Sequence, residues 1–272
     1  VNIILDPILI FGINGYLEFG VAGAAIATII GQMTACLLAI ILFRKTSRIK
    51  VSLKNFKPNA QIIKNIYSIA IPSGVMTSLP SILVALLNSL LATVSQTAIA
   101  FFGIYFKLQS FIYMPANGLI QGMRPLISYN YGARHFDRVK KIIKVSIIST
   151  AVILCCGTII FMGLPELVLS WFNATEQLLE IGIIGLRVIS PCFILSTMGV
   201  VISGVFESLG KGRQSLTISL LRQFIITLPL AYILLKVIGL NGIWLSFVIA
   251  EGIASVIAVI LIKQELHNFK VD

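Results

Sequence analysis

Residues 20–43 read GVAGAAIATIIGQMTACLLAIILF, twenty-four residues without a charge, whose polar side chains are Thr28, Gln32 and Thr34. A helix needs about 20 mostly apolar residues to cross a bilayer, so this stretch predicts a transmembrane span. Working outward, comparable runs fall at 66–90, 96–122, 140–162, 177–205, 215–236 and 242–263. Residues 1–11 are apolar but too short to cross. They begin at Val1 with neither Met nor a charged leader region, so this stretch is not expected to be a signal peptide. They read as the second half of a helix, and the chain as a fragment. Of its 272 residues 57% are hydrophobic and 11% charged, with a mean hydropathy of +0.99. Soluble domains carry about a quarter charged residues. The expected class is an all-α integral membrane protein.

The net charge of +11 is broken into clusters between the apolar runs, whereas nucleic-acid binding needs a contiguous basic face; no nucleic-acid partner is expected. Loop 44–58 holds Arg44, Lys45, Arg48, Lys50, Lys54 and Lys57 with no acid, and loop 91–95 has no charge. Loop 124–141 sets Arg124, Arg134, Arg138, Lys140 and Lys141 against Asp137, whereas 163–176 carries Glu166 and Glu176 alone. Loop 207–213 holds Lys211 and Arg213 against Glu207, the 237–241 turn is uncharged, and the tail brings Lys263 and Lys270. Basic loops thus alternate with neutral or acidic ones, and Lys/Arg-rich loops stay cytoplasmic. The C-terminus is therefore expected in the cytoplasm of a multi-pass plasma-membrane protein.

Other chemistries find little support. Cys36, Cys155, Cys156 and Cys192 lie in apolar runs without CxxC spacing, and His135 and His267 sit apart from them. Neither a metal centre nor a disulfide framework is implied. The Leu209–Arg213 turn lacks the phosphate-loop pattern, because Gly212 follows Lys211. With no nucleophile–base set or paired carboxylates, an enzyme is not expected.

The chain resembles itself. Asn2-Ile-Ile-Leu-Asp6-Pro7 followed by Gly20-Val-Ala-Gly23 is echoed by Phe224-Ile-Ile-Thr-Leu228-Pro229 followed by Gly239-Leu-Asn-Gly242. Each copy is an apolar half-helix ending in X-Pro, a short glycine loop and a helix led by Gly-x-x-Gly. Transporters are commonly built from such repeats. The expected division is 1–43 closing a first lobe, 44–58 as a linker and 59–272 as a complete second lobe of six helices. Asn2, Asp6 and Thr28 of the first copy correspond to Phe224, Leu228 and Phe247 of the second. Only the first copy is polar there.

Asp6 is the candidate for chemistry. A carboxylate at membrane depth is costly unless it is protonated, paired or wet. Asn2, at i−4, shares its helical face, and Thr28 can add a hydroxyl. A capping or helix-ending role before Pro7 stays equally open. Lys107, Gln109 and Arg187 are candidates to line a substrate cavity. Glu251 has no partner legible in the sequence, and Arg222 and Lys64 are expected to snorkel toward the interface. Pro72, Pro80, Pro115, Pro191 and Pro229 predict kinks. Gly118 with Gly122, and Gly199 with Gly204, predict close helix approach, as a structural or a transport feature.

Several stretches together resemble the multidrug and toxic compound extrusion (MATE) family. Asn2–Gly12 and Gly20–Gln32 look like its fifth and sixth helices. Pro115-Ala-Asn-Gly118-Leu-Ile-Gln-Gly122-Met-Arg-Pro125-Leu-Ile-Ser-Tyr-Asn130-Tyr-Gly132-Ala133 looks like its eighth helix and following loop. The Glu207–Arg213 turn and Arg222-Gln223 fit as well. The resemblance implies a two-lobe, inverted-V bundle, here the end of lobe one plus lobe two. It also implies a monomer exporting small organic, often cationic, compounds in exchange for Na⁺ or H⁺, without other cofactors. The family's first-lobe cation site carries over to Asn2, Asp6 and Thr28. In two respects the chain departs from the pattern: a longer loop between Asp6 and Thr28, which would displace Thr28, and no acid in span 66–90. The competing expectation is a lipid-linked saccharide flippase of related plan, which would want a cavity rich in basic residues.

Overall fold

The computed structural model describes residues 1–12, 19–46, 57–172 and 174–268; of the predicted linker, residues 47–56 lie outside the described residues, as does Lys270 of the tail. The chain divides into two compact units, Val1–Asn59 and Ala60–Asp272. Among the described residues there is no strand, and seven helical segments are long and apolar enough to cross a membrane.

The first unit pairs α1 (Asn2–Phe11) with α2 (Val21–Thr46). Pro7 withholds a donor from the carbonyl of Ile3, yet α1 runs on to Phe11 and ends at Gly12 with φ 75. Asp6 is therefore a mid-helix residue, and the helix-ending reading falls. The Phe19 amide N–H donates a hydrogen bond to the Leu9 carbonyl, 3.0 Å. Gly23 then lies on the α1 backbone so closely that a Cβ would stand 2.0 Å from the Leu9 carbonyl oxygen. Only Gly23 and Ala27 of α2 are buried in this unit, and Ile29, Met33, Leu37 and Ile41 face outward.

In the second unit, α3 (Ala60–Ala92) and α4 (Gln96–Gly132) are joined by a tight turn in which the Ser95 hydroxyl accepts from the Ala98 amide, 3.1 Å. The predicted span 96–122 extends to Gly132 and passes through Pro125, because hydropathy marks the part of a helix in oil, not its end. The remaining loop closes in one step, with Arg134 at φ 58. After α5 (Phe136–Gly163), the acidic connection holds a short helix, α6 (Pro165–Ser170). The predicted single span 177–205 is two helices, α7 (Glu176–Ile189) and α8 (Pro191–Ser208). They meet at Ser190, where Pro191 removes the backbone donor that would bridge the break.

The predicted span 215–236 is likewise composite. It comprises α9 (Gly212–Leu220), a π-helical turn (Leu221–Ile225) and α10 (Thr227–Ile238). In the turn the Ile226 amide reaches back five residues to the Leu221 carbonyl, 3.1 Å, and the Thr227 hydroxyl donates to the Arg222 carbonyl. Pro229, three residues further on, cannot donate to Ile225, so the ladder here has already lost one rung. The last helix, α11 (Leu240–Asn268), packs on α8 and α10. Gly242 sits on α10 so that a Cβ would stand 2.2 Å from the Leu234 carbonyl oxygen. Both copies of the repeat thus close by resting a bare Gly-x-x-Gly glycine on the backbone of the preceding half-helix.

The core lies in two layers along α4, α8 and α11. Phe101, Phe102, Tyr105, Phe193 and Trp244 fill one, and Ile127, Val201, Val205, Phe206 and Ala258 fill the other. Between them runs a polar belt of Ser196, Thr197, Arg222 and Glu251. Among the described residues the predicted close approach at Gly118 and Gly122 is not found: no atom of a neighbouring helix lies within 4 Å of a Cβ added at either. The approach between α4 and α8 falls at Gly204, against Ile120. Ion pairs between Arg124 and Glu207 (2.7 Å) and between Lys211 and Glu265 (2.6 Å) tie the helix ends beside the basic loops.

Candidate functional site

In the first unit the fold brings together two of the three predicted residues. The Asn2 side-chain amide donates to the Thr28 hydroxyl at 3.3 Å, and Thr28 donates in turn to the Ala24 carbonyl, 2.9 Å. Thr28 is not displaced. The reason is Gly31, one helical turn beyond Thr28, where a Cβ would stand 2.0 Å from Asn2 Oδ1. The amide of Asn2 therefore lies flat on bare α2 backbone. Asp6, one turn along α1, has its Oδ1 shielded from solvent and without a hydrogen-bond partner. Leaving a buried acceptor unmade costs about 1–3 kcal/mol, more if charged.

The second unit holds a cavity of about 470 Å³, within the usual range for small-molecule sites. Phe102, Phe106, Tyr113 and Phe247 give it aromatic walls, and Gln109, Asn117, Arg222, Gln223 and Glu251 its polar ones. Gln109 is among its lining residues. Lys107 and Arg187 are not: both are exposed and absent from its walls, because depth in an apolar run does not fix the direction a side chain takes around its helix. Arg222 does not snorkel. Its Nε and Nη2 both donate to Glu251 Oε1, at 3.1 and 2.8 Å, and this pairing in the cavity wall is what sequence reasoning missed. Glu251 Oε2 and Gln223 Oε1 are buried without a partner. Phe224, Leu228 and Phe247, the second-copy counterparts of Asn2, Asp6 and Thr28, all pack against the aromatic core layer.

Apolar surfaces outside, polar groups within, and a polar belt between helices of spanning length define a multi-pass helical membrane protein. A family model described as MatE matches residues 72–233, more than half the chain, and the chain belongs to that family. It is 34% identical over 272 residues to the multidrug export protein MepA of Staphylococcus aureus (strain N315) and 34% over 274 residues to that of Staphylococcus haemolyticus. In both comparisons the match takes in 100% of this chain and 59% of the relative, so the chain spans about three-fifths of the relatives' length. Among solved structures, MATE in complex with MaD5 superposes with a TM-score of 0.88 at 25% identity, covering 100% of this chain and 60% of that one. A transporter of the MOP superfamily from Pyrococcus furiosus does so with 0.90 at 25% identity, covering 99% and 60%.

Proposed function

We propose that the chain forms the membrane-embedded, cation-coupled part of a multidrug exporter, with Asp6 as the residue that exchanges the coupling ion. The observation that carries this is the shielded, unpartnered Asp6 Oδ1, one turn from an Asn2 amide already bonded to Thr28. Carboxylate, amide and hydroxyl are hard oxygen donors, which suit Na⁺ or a proton. Asp6 would hold the ion with Asn2 and Thr28 beside it, and the ion supplies the gradient that drives export. The relatives named as multidrug export proteins support the substrate class of small organic compounds.

The bilayer is the expected surrounding, with a monomer in the plasma membrane and the C-terminus in the cytoplasm. Transport, not covalent chemistry, is the activity. The flippase alternative wants basic cavity walls for a pyrophosphate. Arg222 is the single base among the lining residues and is already spent on Glu251, so the exporter is favoured. Efflux of a fluorescent cation from cells or vesicles carrying the full-length protein tests the proposal, with Na⁺ and pH varied separately. Asp6→Asn should abolish efflux at unchanged expression, and undiminished efflux overturns the role.

A further inference from the structure

The cavity of the second unit contains an arrangement that ion coupling at Asp6 does not use. A carboxylate can accept about four hydrogen bonds, and Glu251 receives two, both on Oε1 from Arg222. Its Oε2 is buried and unpartnered, as is the side-chain oxygen of the neighbouring Gln223. Both residues line the cavity. The surroundings explain why nothing closer satisfies Glu251. A Cβ at Gly199 would stand 3.9 Å from Oε2, so this side of the carboxylate lies near bare α8 backbone. The Ser255 hydroxyl, the same 3.9 Å from that point, gives its proton to the Leu195 carbonyl. Terminal torsions of Glu and Gln turn easily, so either oxygen can be presented to the space its side chain already lines.

Two buried acceptors without partners and a carboxylate already neutralised by an arginine define a selectivity. We infer that this cavity is a binding site for flat aromatic compounds bearing an N–H or O–H donor, and that it selects the donor, not positive charge. Glu251 and Gln223 take the donor, and the rings of Phe102, Phe106, Tyr113 and Phe247 take the aromatic body. Arg222 cancels the field that would otherwise draw in any cation. Neutral donors therefore bind as well as cationic ones, and cations lacking a donor bind poorly. The inference rests on the exporter reading only for the statement that the occupant is cargo.

Three probes of one ring system separate charge from donor: acridone (neutral, with N–H), aminoacridine (cationic, with N–H) and N-methylacridinium (cationic, without N–H). With the protein in nanodiscs and binding followed by fluorescence, acridone and aminoacridine should bind within about tenfold of each other. N-methylacridinium should bind at least about tenfold more weakly than acridone, the usual worth of a hydrogen bond to a charged group. Gln223→Met, which spares the ion pair, should weaken acridone severalfold and leave N-methylacridinium unchanged. The double change Arg222→Met with Glu251→Met removes the acceptor without stranding a charge, and should weaken both donor probes. Arg222→Gln should raise N-methylacridinium relative to acridone. N-methylacridinium binding as tightly as acridone, or no response to Gln223→Met and the double change, overturns the inference. Binding in nanodiscs is read without transport, so a failed coupling role at Asp6 and a failed binding site give different results.

Discussion

Arg222 and Glu251, twenty-nine residues apart, meet through two donors on one oxygen, at 3.1 and 2.8 Å. Their side chains are only 14% and 11% exposed. Breaking a buried pair by removing one partner strands a charge and costs about 3–5 kcal/mol, whereas replacing both by apolar groups of similar size is often neutral. Arg222→Met and Glu251→Met should therefore each lower the unfolding temperature sharply in detergent, and the double variant should recover most of the loss. Additive losses would show that the two charges are not each other's partner.

The glycines that close the two repeats make a second test. A Cβ at Gly23 or Gly242 would overlap a backbone carbonyl, at 2.0 and 2.2 Å, and backbone cannot yield as a side-chain tip can. Gly23→Ala and Gly242→Ala should each destabilise by about 1–3 kcal/mol or more, the cost of overpacking. Gly118→Ala, with no atom within 4 Å of the added carbon, should not. Thermal unfolding of the three variants side by side decides it.

The positions of the spans were legible because oil demands long uncharged runs, and the seven predicted from hydropathy overlap the seven helical segments of spanning length. Boundaries were not, since α4 carries its helix through Pro125 and out of the apolar zone to Gly132. The break at Ser190 left a mark, Pro191, that the unbroken apolar composition outweighed. Each charge in the belt was visible, but pairing was not: Arg222 lay close enough to a basic loop to read as snorkelling, and a contact with Glu251 across twenty-nine residues has no periodicity to announce it. Lys107 and Arg187 lie off the walls of this cavity for the complementary reason, that an apolar run gives depth but no azimuth. The proximity of Asn2 and Thr28 was implied by a family resemblance, and its physical cause, the bare surface at Gly31, becomes evident only once α1 and α2 are packed.

The π-helical turn that carries Arg222 depends on a side chain to satisfy backbone that the changed register frees. Thr227 is fully buried and its hydroxyl donates to the Arg222 carbonyl. Thr227→Val, nearly isosteric, should cost about 1–3 kcal/mol, the penalty for a buried acceptor left unmade. Thr217→Val makes the control, since its hydroxyl bonds the Arg213 carbonyl outside the packed core, where no buried acceptor is stranded. Equal unfolding temperatures for the two variants would show that the turn does not need its hydroxyl.

Gly31→Ala should separate positioning from coupling at the proposed ion site. The added methyl would fall 2.0 Å from Asn2 Oδ1, too close to coexist with the present rotamer. It must push the Asn2 amide away from Thr28 while leaving the Asp6 carboxyl chemically untouched. Residues that orient a ligand set without belonging to it typically change affinity or activity by about 10–100-fold. The expected outcome is an efflux rate that falls by at least about tenfold at low coupling-ion concentration and recovers as that ion is raised. Asp6→Asn, by contrast, should not recover at any concentration. A merely structural defect would lower the maximal rate of Gly31→Ala without moving its dependence on Na⁺ or pH, and that result would remove Asn2 from the site.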